Sequence, residues 1–407
     1  MFQSSYVKDS LEPASLEAYE YKTFEKQTFY LPKSCVISEM KGRGTYGIVV
    51  AVNDSELQEE YAVKKVITIF ADLNTPLRSY REIAILKNIF HPNIIKLHSM
   101  TVAQDPESFT ELFMTTELMD TDLKRVIYST QSFGLEEVKY ISFQIVKAMA
   151  YLHSVAVLHR DLKPGNILIR SDCETKICDF GLAKFNRNSP VYRQWTAKEL
   201  ERSEGKLASS MREFHKSSKT SPVLAEQMTD YMTTRWYRAP EVCFKFDDYD
   251  EACDVWSFGC LLAEMLVRQP FLKGANEKHQ IELIIDMIGY PPKRFIDRLD
   301  PTTRMAVIKT PIGVPQNLSK LFPMLDHNGI NMLRSIFCYE NRITFDQLLK
   351  HPFFDEPYTQ AIASNFFDKG VDKGEIIRQL EAECSITATT HEEFRKAIYG
   401  LRFDRLH

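Results

Sequence analysis

The stretch His159-Arg160-Asp161-Leu162-Lys163-Pro164-Gly165-Asn166, with Asp179-Phe180-Gly181 thirteen residues beyond it, decides the reading of this chain. It strings an acid, a lysine, an amide and a second acid along one short segment. Asp161 can accept a hydroxyl proton, and Lys163 can neutralise charge on a moving phosphoryl group. Asn166 and Asp179 offer the hard oxygen ligands that magnesium prefers. Asp-Phe-Gly alone arises by chance in many chains. An Asp-rich turn does not explain the whole ordered constellation.

Toward the N-terminus, Gly42-Arg43-Gly44-Thr45-Tyr46-Gly47-Ile48-Val49 lets backbone approach phosphates closely. A dinucleotide-binding turn would lead from its glycines into a helix, whereas strand residues follow here. That order favours a flap over a nucleotide. Ala62-Val63-Lys64 then supplies a cation for the α- and β-phosphates, and Glu82 can pair with it. Lys65 points to the opposite face and reads as a solvated surface charge.

Around these motifs, Val36 to Met40, Ile48 to Val52 and Tyr61 to Val66 read as short strands. Pro76 to Ile89 reads as a helix ended by His91-Pro92-Asn93. From about Leu123 the pattern is mostly helical, with Val138, Ile141, Ile145, Met149 and Leu152 on one face. Strands followed by helices in separate blocks indicate an α+β fold with a small β-rich lobe and a larger α-helical lobe.

The composition of the 407 residues is ordinary for a globular chain: 44% hydrophobic, 26% charged, net charge −4. No basic field points to nucleic acid or to an anionic membrane surface. The apolar run Phe258 to Val267 is too short to span a bilayer and contains Glu264. The eight cysteines form no Cys-x-x-Cys pair, which argues against zinc and for reduced thiols. The start, Met1 to Glu20, lacks the pattern of a secretory signal.

These motifs together resemble the eukaryotic protein kinases over about residues 35 to 354, continuing through Ala239-Pro240-Glu241, Asp254-Val255-Trp256-Ser257-Phe258-Gly259 and Arg342. The resemblance implies ATP and Mg2+ as cofactors and a buried ion pair between Glu241 and Arg342. Within that family the chain is similar to the mitogen-activated protein kinases, because Thr229-Asp230-Tyr231 precedes Thr233-Thr234-Arg235-Trp236-Tyr237-Arg238-Ala239-Pro240-Glu241 at the usual distance. Thr116-Glu117-Leu118-Met119-Asp120-Thr121-Asp122-Leu123 resembles their hinge. Thr116 stands as gatekeeper there, Leu118 and Met119 would bind adenine through backbone, and Asp122 would lie near the ribose. With these, the nucleotide site comprises Gly42, Gly44, Gly47, Val49, Ala62, Lys64, Thr116, Glu117, Leu118, Met119 and Asp122.

By the same resemblance, Thr229 and Tyr231 are the regulatory phosphorylation sites. Arg78, Arg81, Arg160 and Lys184 would receive phosphothreonine, and Arg235 and Arg238 phosphotyrosine. It further implies a monomer with Ser/Thr-Pro protein substrates, an upstream dual-specificity kinase, phosphatases, and a cytoplasmic or nuclear location. Asn276 to Pro292 and Leu321-Phe322-Pro323 resemble the family's extra helical insert. Two kinase alternatives are an activation loop ordered without an upstream enzyme and a cyclin-dependent-like kinase. A catalytically dead scaffold conflicts with intact Lys64, Asp161, Asn166 and Asp179.

The resemblance thus divides the chain into an N-terminal extension (1–34), a kinase domain (35–354) and a C-terminal extension (355–407), whose tail helix near Glu392 to Tyr399 resembles the one that packs back on the family's N-lobe. The lobes meet near residue 117, and an insertion fills about 185–228. Asp179 to Glu241 span 63 residues, longer than the family's usual activation segment. Inside the insertion, Trp195, Thr196, Glu199 and Leu200 fit a hydrophobic staple and capping box, and Leu207, Met211 and Phe214 continue one apolar face, so Ala197 to Phe214 reads either as a short amphipathic helix that docks on the kinase or a partner or as a mobile loop. Ser189-Pro190 and Ser221-Pro222 resemble self-phosphorylation sites. In the C-terminal extension Thr390 and Glu393 fit a capping box ahead of Phe394, Ile398 and Leu401. Asp355 and Glu356 are a sparse version of the family's acidic docking patch. Cys178 resembles a thiol found there in some relatives and reads as a buried inert thiol in preference to a redox-active one.

Overall fold

The computed structural model describes residues 18–44, 47–103, 105, 107–202, 235–244, 246, 250–310, 314–356 and 372–401. Thr45, Tyr46, Ser221, Thr229, Tyr231 and residues 203–214 of the predicted insertion helix lie outside them. The described residues form two compact units. One comprises those up to Ile83, Lys96–Met119 and those from Ala388 on; the other comprises Ala84–Ile95 and Asp120–Thr387.

The first unit is built on strands. β1 (Tyr19–Phe24) and β2 (Gln27–Pro32) form a hairpin whose turn residues Glu25 and Lys26 both have positive φ. Two such residues suit the tight turn that matches strand twist. β3 (Cys35–Gly44), β4 (Gly47–Asp54), β5 (Glu59–Val66), β6 (Leu97–Val102) and β7 (Leu112–Glu117) make an antiparallel sheet in the order β3-β4-β5-β7-β6. Phe29, Tyr30 and Leu31 of β2 are buried against Ile48, Val50, Val63 and Phe113. The hairpin therefore covers the sheet face that alternation assigns to Lys65.

Helices of ten or more residues are numbered in chain order. α1 (Asn74–Asn88) starts two residues before the expected Pro76. Asp72 accepts the N–H groups of Asn74 and Thr75 at 2.8 and 2.7 Å, satisfying otherwise orphaned donors. At the other end of the chain, α8 (His391–Gly400) begins at Thr390 with the expected reciprocal bonds to Glu393. It buries Phe394, Ile398 and the following Leu401.

The second unit is mostly helical. α2 (Leu135–Ser154), α4 (Ala252–Val267), α5 (Glu277–Ile288) and α6 (His327–Ile336) carry its core, and α7 (Lys373–Glu383) belongs to the C-terminal extension. The apolar run noted in the sequence lies in α4, with Glu264 only 1% exposed. Its carboxylate accepts the hydroxyls of Tyr128 and Tyr237 at 2.7 and 2.5 Å, so the buried charge is hydrogen-bonded. Short ribbons complete the unit: β8 (Thr121–Asp122) and β11 (Thr175–Ile177) flank β10 (Ile167–Ile169), and β9 (Val157–Leu158) pairs with β12 (Lys184–Phe185).

The insertion contains a helix that begins seven residues before the position the capping box gives it. α3 runs Pro190–Arg202. Ser189 is its cap, accepting the Tyr192 N–H on its hydroxyl at 3.0 Å, and Pro190 occupies the first helical position. Thr196 lies inside the helix and donates back to Tyr192 O at 2.6 Å. Ser189 is fully buried, so its hydroxyl is a structural acceptor rather than an accessible phosphorylation site. Replacing it by Ala is expected to weaken α3 by about 1 kcal/mol. Hydrogen exchange should then show faster amides across α3, and unchanged rates would contradict this cap.

Candidate active site

In the first unit, β5 sits between β4 and β7, with Lys64 opposite Val49 and Met114. Its ammonium donates to both Glu82 oxygens, at 2.8 and 2.7 Å. Glu82 is buried on α1, so the pair satisfies a charge that burial would otherwise penalise. Lys65 points the other way, as alternation requires, yet it is not solvated. It is buried, pairs with Glu111 at 2.5 Å and donates to Thr28 O at 2.7 Å. The β1–β2 hairpin, which gave no motif signal, supplies that cover.

The glycines of the β3–β4 ribbon divide by environment. A Cβ at Gly47 would meet Lys65 O at 2.6 Å, so only glycine allows β4 to lie this close to β5. At Gly42 and Gly44 a Cβ would meet nothing within 4 Å, leaving open backbone on either side of the chain reversal. Ala62 pairs with Thr116 across β5 and β7 and is buried. Thr116 and Leu118 are half-buried, and Met119 is buried. Glu117 accepts the Lys96 N–H at 2.8 Å.

In the second unit, Asp254 of α4 organises the signature loop. Fully buried, it accepts the N–H of His159 at 2.9 Å and of Arg160 at 2.8 Å, and contacts His153 Nε2 at 3.0 Å. Burial alone would raise its pKa, but hydrogen bonding from His153 and the nearby imidazoles hold it below the ordinary aspartate value. Arg160 takes φ of +65°, an uncommon conformation for a side-chain-bearing residue. Its Nε donates to Leu182 O at 2.6 Å. The His159 ring meets Phe180 edge-to-face at 5.1 Å and contacts Cys178 O at 3.1 Å, linking the two motifs.

That scaffold brings Asp161, Lys163 and Asn166 together. Lys163 Nζ donates to Asp161 Oδ2 at 2.6 Å. Asn166 Nδ2 donates to the same oxygen at 3.0 Å and to the Asp161 carbonyl at 2.8 Å. With its amide nitrogen so engaged, the side-chain oxygen of Asn166 is directed away as a possible ligand. Burial pushes the Asp161 carboxyl up, Lys163 offsets part of that rise, and the charge of Asp179 adds to it. Asp179 has φ of +65°. Asp122, beyond its expected ribose role, caps the short helix Leu123–Ile127 by accepting the Arg125 N–H at 2.9 Å.

The expected ion pair is present. Arg342 donates to Glu241 with both terminal nitrogens, at 2.5 and 2.8 Å, and is almost fully buried. Glu356 of the sparse acidic patch pairs with Lys139 at 2.6 Å. Of the basic residues assigned to phosphate, Arg78 and Arg81 lie on α1. Lys184 pairs with Leu158 just before the loop, and Arg235 donates to Ala275 O at 3.3 Å. Arg238 immediately precedes Ala239, the cap of the Pro240–Cys243 turn.

Comparison with known proteins agrees with this geometry. The protein kinase domain family matches residues 36–204 and 207–354. Mitogen-activated protein kinase 7 of Arabidopsis thaliana is 34% identical over 335 residues, covering 81% of this chain and 80% of that protein. The chain belongs to the mitogen-activated protein kinases. Mitogen-activated protein kinase 5 of the same plant is 34% identical over 367 residues, 88% of this chain and 87% of its own length. Mitogen-activated protein kinase 3 of Oryza sativa subsp. japonica is 34% identical over 340 residues, 82% of this chain and 80% of its own. The enzyme is a Ser/Thr protein kinase. Among the described residues no helix of this kinase is long and apolar enough to cross a membrane.

Asp254→Asn should loosen the kinase's loop by weakening two charge-assisted backbone bonds. The His159 and Arg160 amides are expected to exchange faster, and unchanged protection would refute the assignment. Because Asp254 titrates below its ordinary value, its stabilising contribution is full above that value. It should fade as pH falls through the lower folded one.

Proposed function

We propose that this kinase transfers the γ-phosphoryl group of Mg-ATP to Ser or Thr followed by Pro in protein substrates, and that phosphorylation of Thr229 and Tyr231 switches it on. The observation that carries the reading is the Asp161–Lys163–Asn166 cluster on a loop held by buried Asp254. Asp161 orients the substrate hydroxyl and accepts its proton, and its raised pKa makes it a better base than an ordinary aspartate. Lys163 reaches the same oxygen and offsets charge on the moving group. Lys64, held by Glu82, positions the α- and β-phosphates. Gly42, Gly44 and Gly47 bring backbone over them, and the Thr116–Met119 segment with Asp122 receives the nucleoside.

The donor set fits a magnesium ion. Asn166 and Asp179 would hold the ion through two hard oxygens, and phosphate oxygens and water would be its remaining ligands. Among the described residues no cluster of three His, Cys, Asp or Glu forms a cage of its own. When bound, the ion neutralises phosphate charge during transfer. Thr229 and Tyr231 lie outside the described residues, so their role rests on the motif and on the family. Cytoplasmic or nuclear location, an upstream dual-specificity kinase and opposing phosphatases follow from the same family reading.

Asp161→Asn should lower kcat by about 10²-fold or more without unfolding the protein. Near-normal turnover would refute the assignment. In the wild type, the acidic limb of the kcat profile should lie above the usual aspartate range, because the rate falls as the raised carboxyl is protonated. Phosphatase treatment should reduce the rate, and re-phosphorylation at Thr229 and Tyr231 should restore it. A rate unaffected by phosphatase would favour a loop ordered without modification. Ser-Pro peptides should be preferred to Ser-Ala peptides, and equal rates would refute proline direction.

A further inference from the structure

The inserted helix α3 lies against the C-terminal extension along most of α7. Near the start of α7, a Cβ at Gly374 would come within 3.2 Å of the Trp195 indole nitrogen, so the ring rests on backbone there. One turn on, Arg378 meets Glu199 at 3.6 Å. Toward the end, buried Tyr192 donates its hydroxyl to Glu381, and its ring packs edge-to-face on Phe185 at 5.4 Å. Arg187, just ahead of α3, donates to Ser385 and, at 3.5 Å, to Glu381 O.

The far end of α7 holds a different helix. Glu383 Oε1 accepts Lys87 Nζ at 2.9 Å, and Oε2 accepts Asn88 Nδ2 at 2.7 Å. Lys87 and Asn88 are the last two residues of α1, and Asn88 also donates to Ala84 O at 2.7 Å. Glu383 is itself the last residue of α7. A carboxylate at the C-terminal ends of two helices opposes both dipoles. Helix stability therefore does not account for an acid here, whereas the two-oxygen tie to Lys87 and Asn88 does. Glu82, the partner of Lys64, lies on the same α1 little more than one turn before Lys87.

We propose that α3 is a positioning element for phosphoryl transfer: it fixes α7, Glu383 of α7 fixes the end of α1, and α1 presents Glu82 to Lys64. Tyr192 and Glu383 are thus positioning residues, and this role rests on the reading of Lys64 as the phosphate contact. The activation segment and the C-terminal extension then act on the catalytic lysine through one chain of packed helices. Neither needs to touch nucleotide.

The test measures kcat and KM for Mg-ATP with a degenerate Ser/Thr peptide mixture. The full-length variants are Tyr192→Phe and Glu383→Gln, each alone and combined with Glu82→Gln. Both single changes are mild enough to leave folding intact, which thermal melting checks. Each is expected to lower kcat/KM for ATP by about threefold to tenfold. In the Glu82→Gln background neither should lower it further, because the path to Lys64 is already cut. Losses that multiply with Glu82→Gln would overturn the proposal, since a merely structural role acts regardless of that residue. Wild-type kinetics in both single variants would overturn it as well. Asp161→Asn run alongside separates the two levels: full activity there would refute the kinase-loop reading itself.

Discussion

The catalytic loop depends on one buried charge. Asp254 has no exposed surface, and its carboxylate is shared between two loop amides and an imidazole. An unpaired carboxylate in that position would be strongly destabilising, so the loop must keep the conformation that supplies those donors. Arg160 accepts a left-handed backbone under the same constraint. Two residues on from His159, Asp161 is delivered to Lys163 and Asn166. The side chains proposed to carry the reaction are thus placed by an acid far away in sequence.

The same economy recurs elsewhere in the protein. Lys64 and Glu82, Arg342 and Glu241, and Glu264 with its two tyrosines are buried polar groups that meet their partners directly. Each pairing narrows the arrangements its elements can adopt. Satisfied networks of this kind rigidify the surrounding backbone, whereas a partly satisfied one would be costly. Catalysis by positioning and electrostatics needs that rigidity, because phosphoryl transfer leaves little covalent work to the protein.

Much of this was legible in the sequence. Contiguous motifs such as His159 to Asn166 and Gly42 to Val49 carry their meaning in local spacing, and the cap at Thr390 follows from a four-residue rule. Contacts between distant segments were not legible in that way. In the sequence Lys65 reads as solvated, because nothing in β5 announces the hairpin that covers it. The insertion helix starts ahead of Thr196 because Ser189 and Pro190 satisfy a start signal as well as Thr196 and Glu199 satisfy the capping-box rule, and only packing selects the former. Glu381 and Glu383 carry no motif signal; their partners lie 189 and 296 residues away in sequence.

The measurement that bears most directly on this account is single-turnover phosphoryl transfer by Asp254→Asn, with Mg-ATP affinity measured on the same protein. If Asp254 acts by holding the loop, transfer should slow by about 10²-fold, as expected for a small misplacement of reacting groups, while ATP affinity stays near the wild-type value. Transfer at the wild-type rate from a folded Asp254→Asn protein would contradict it.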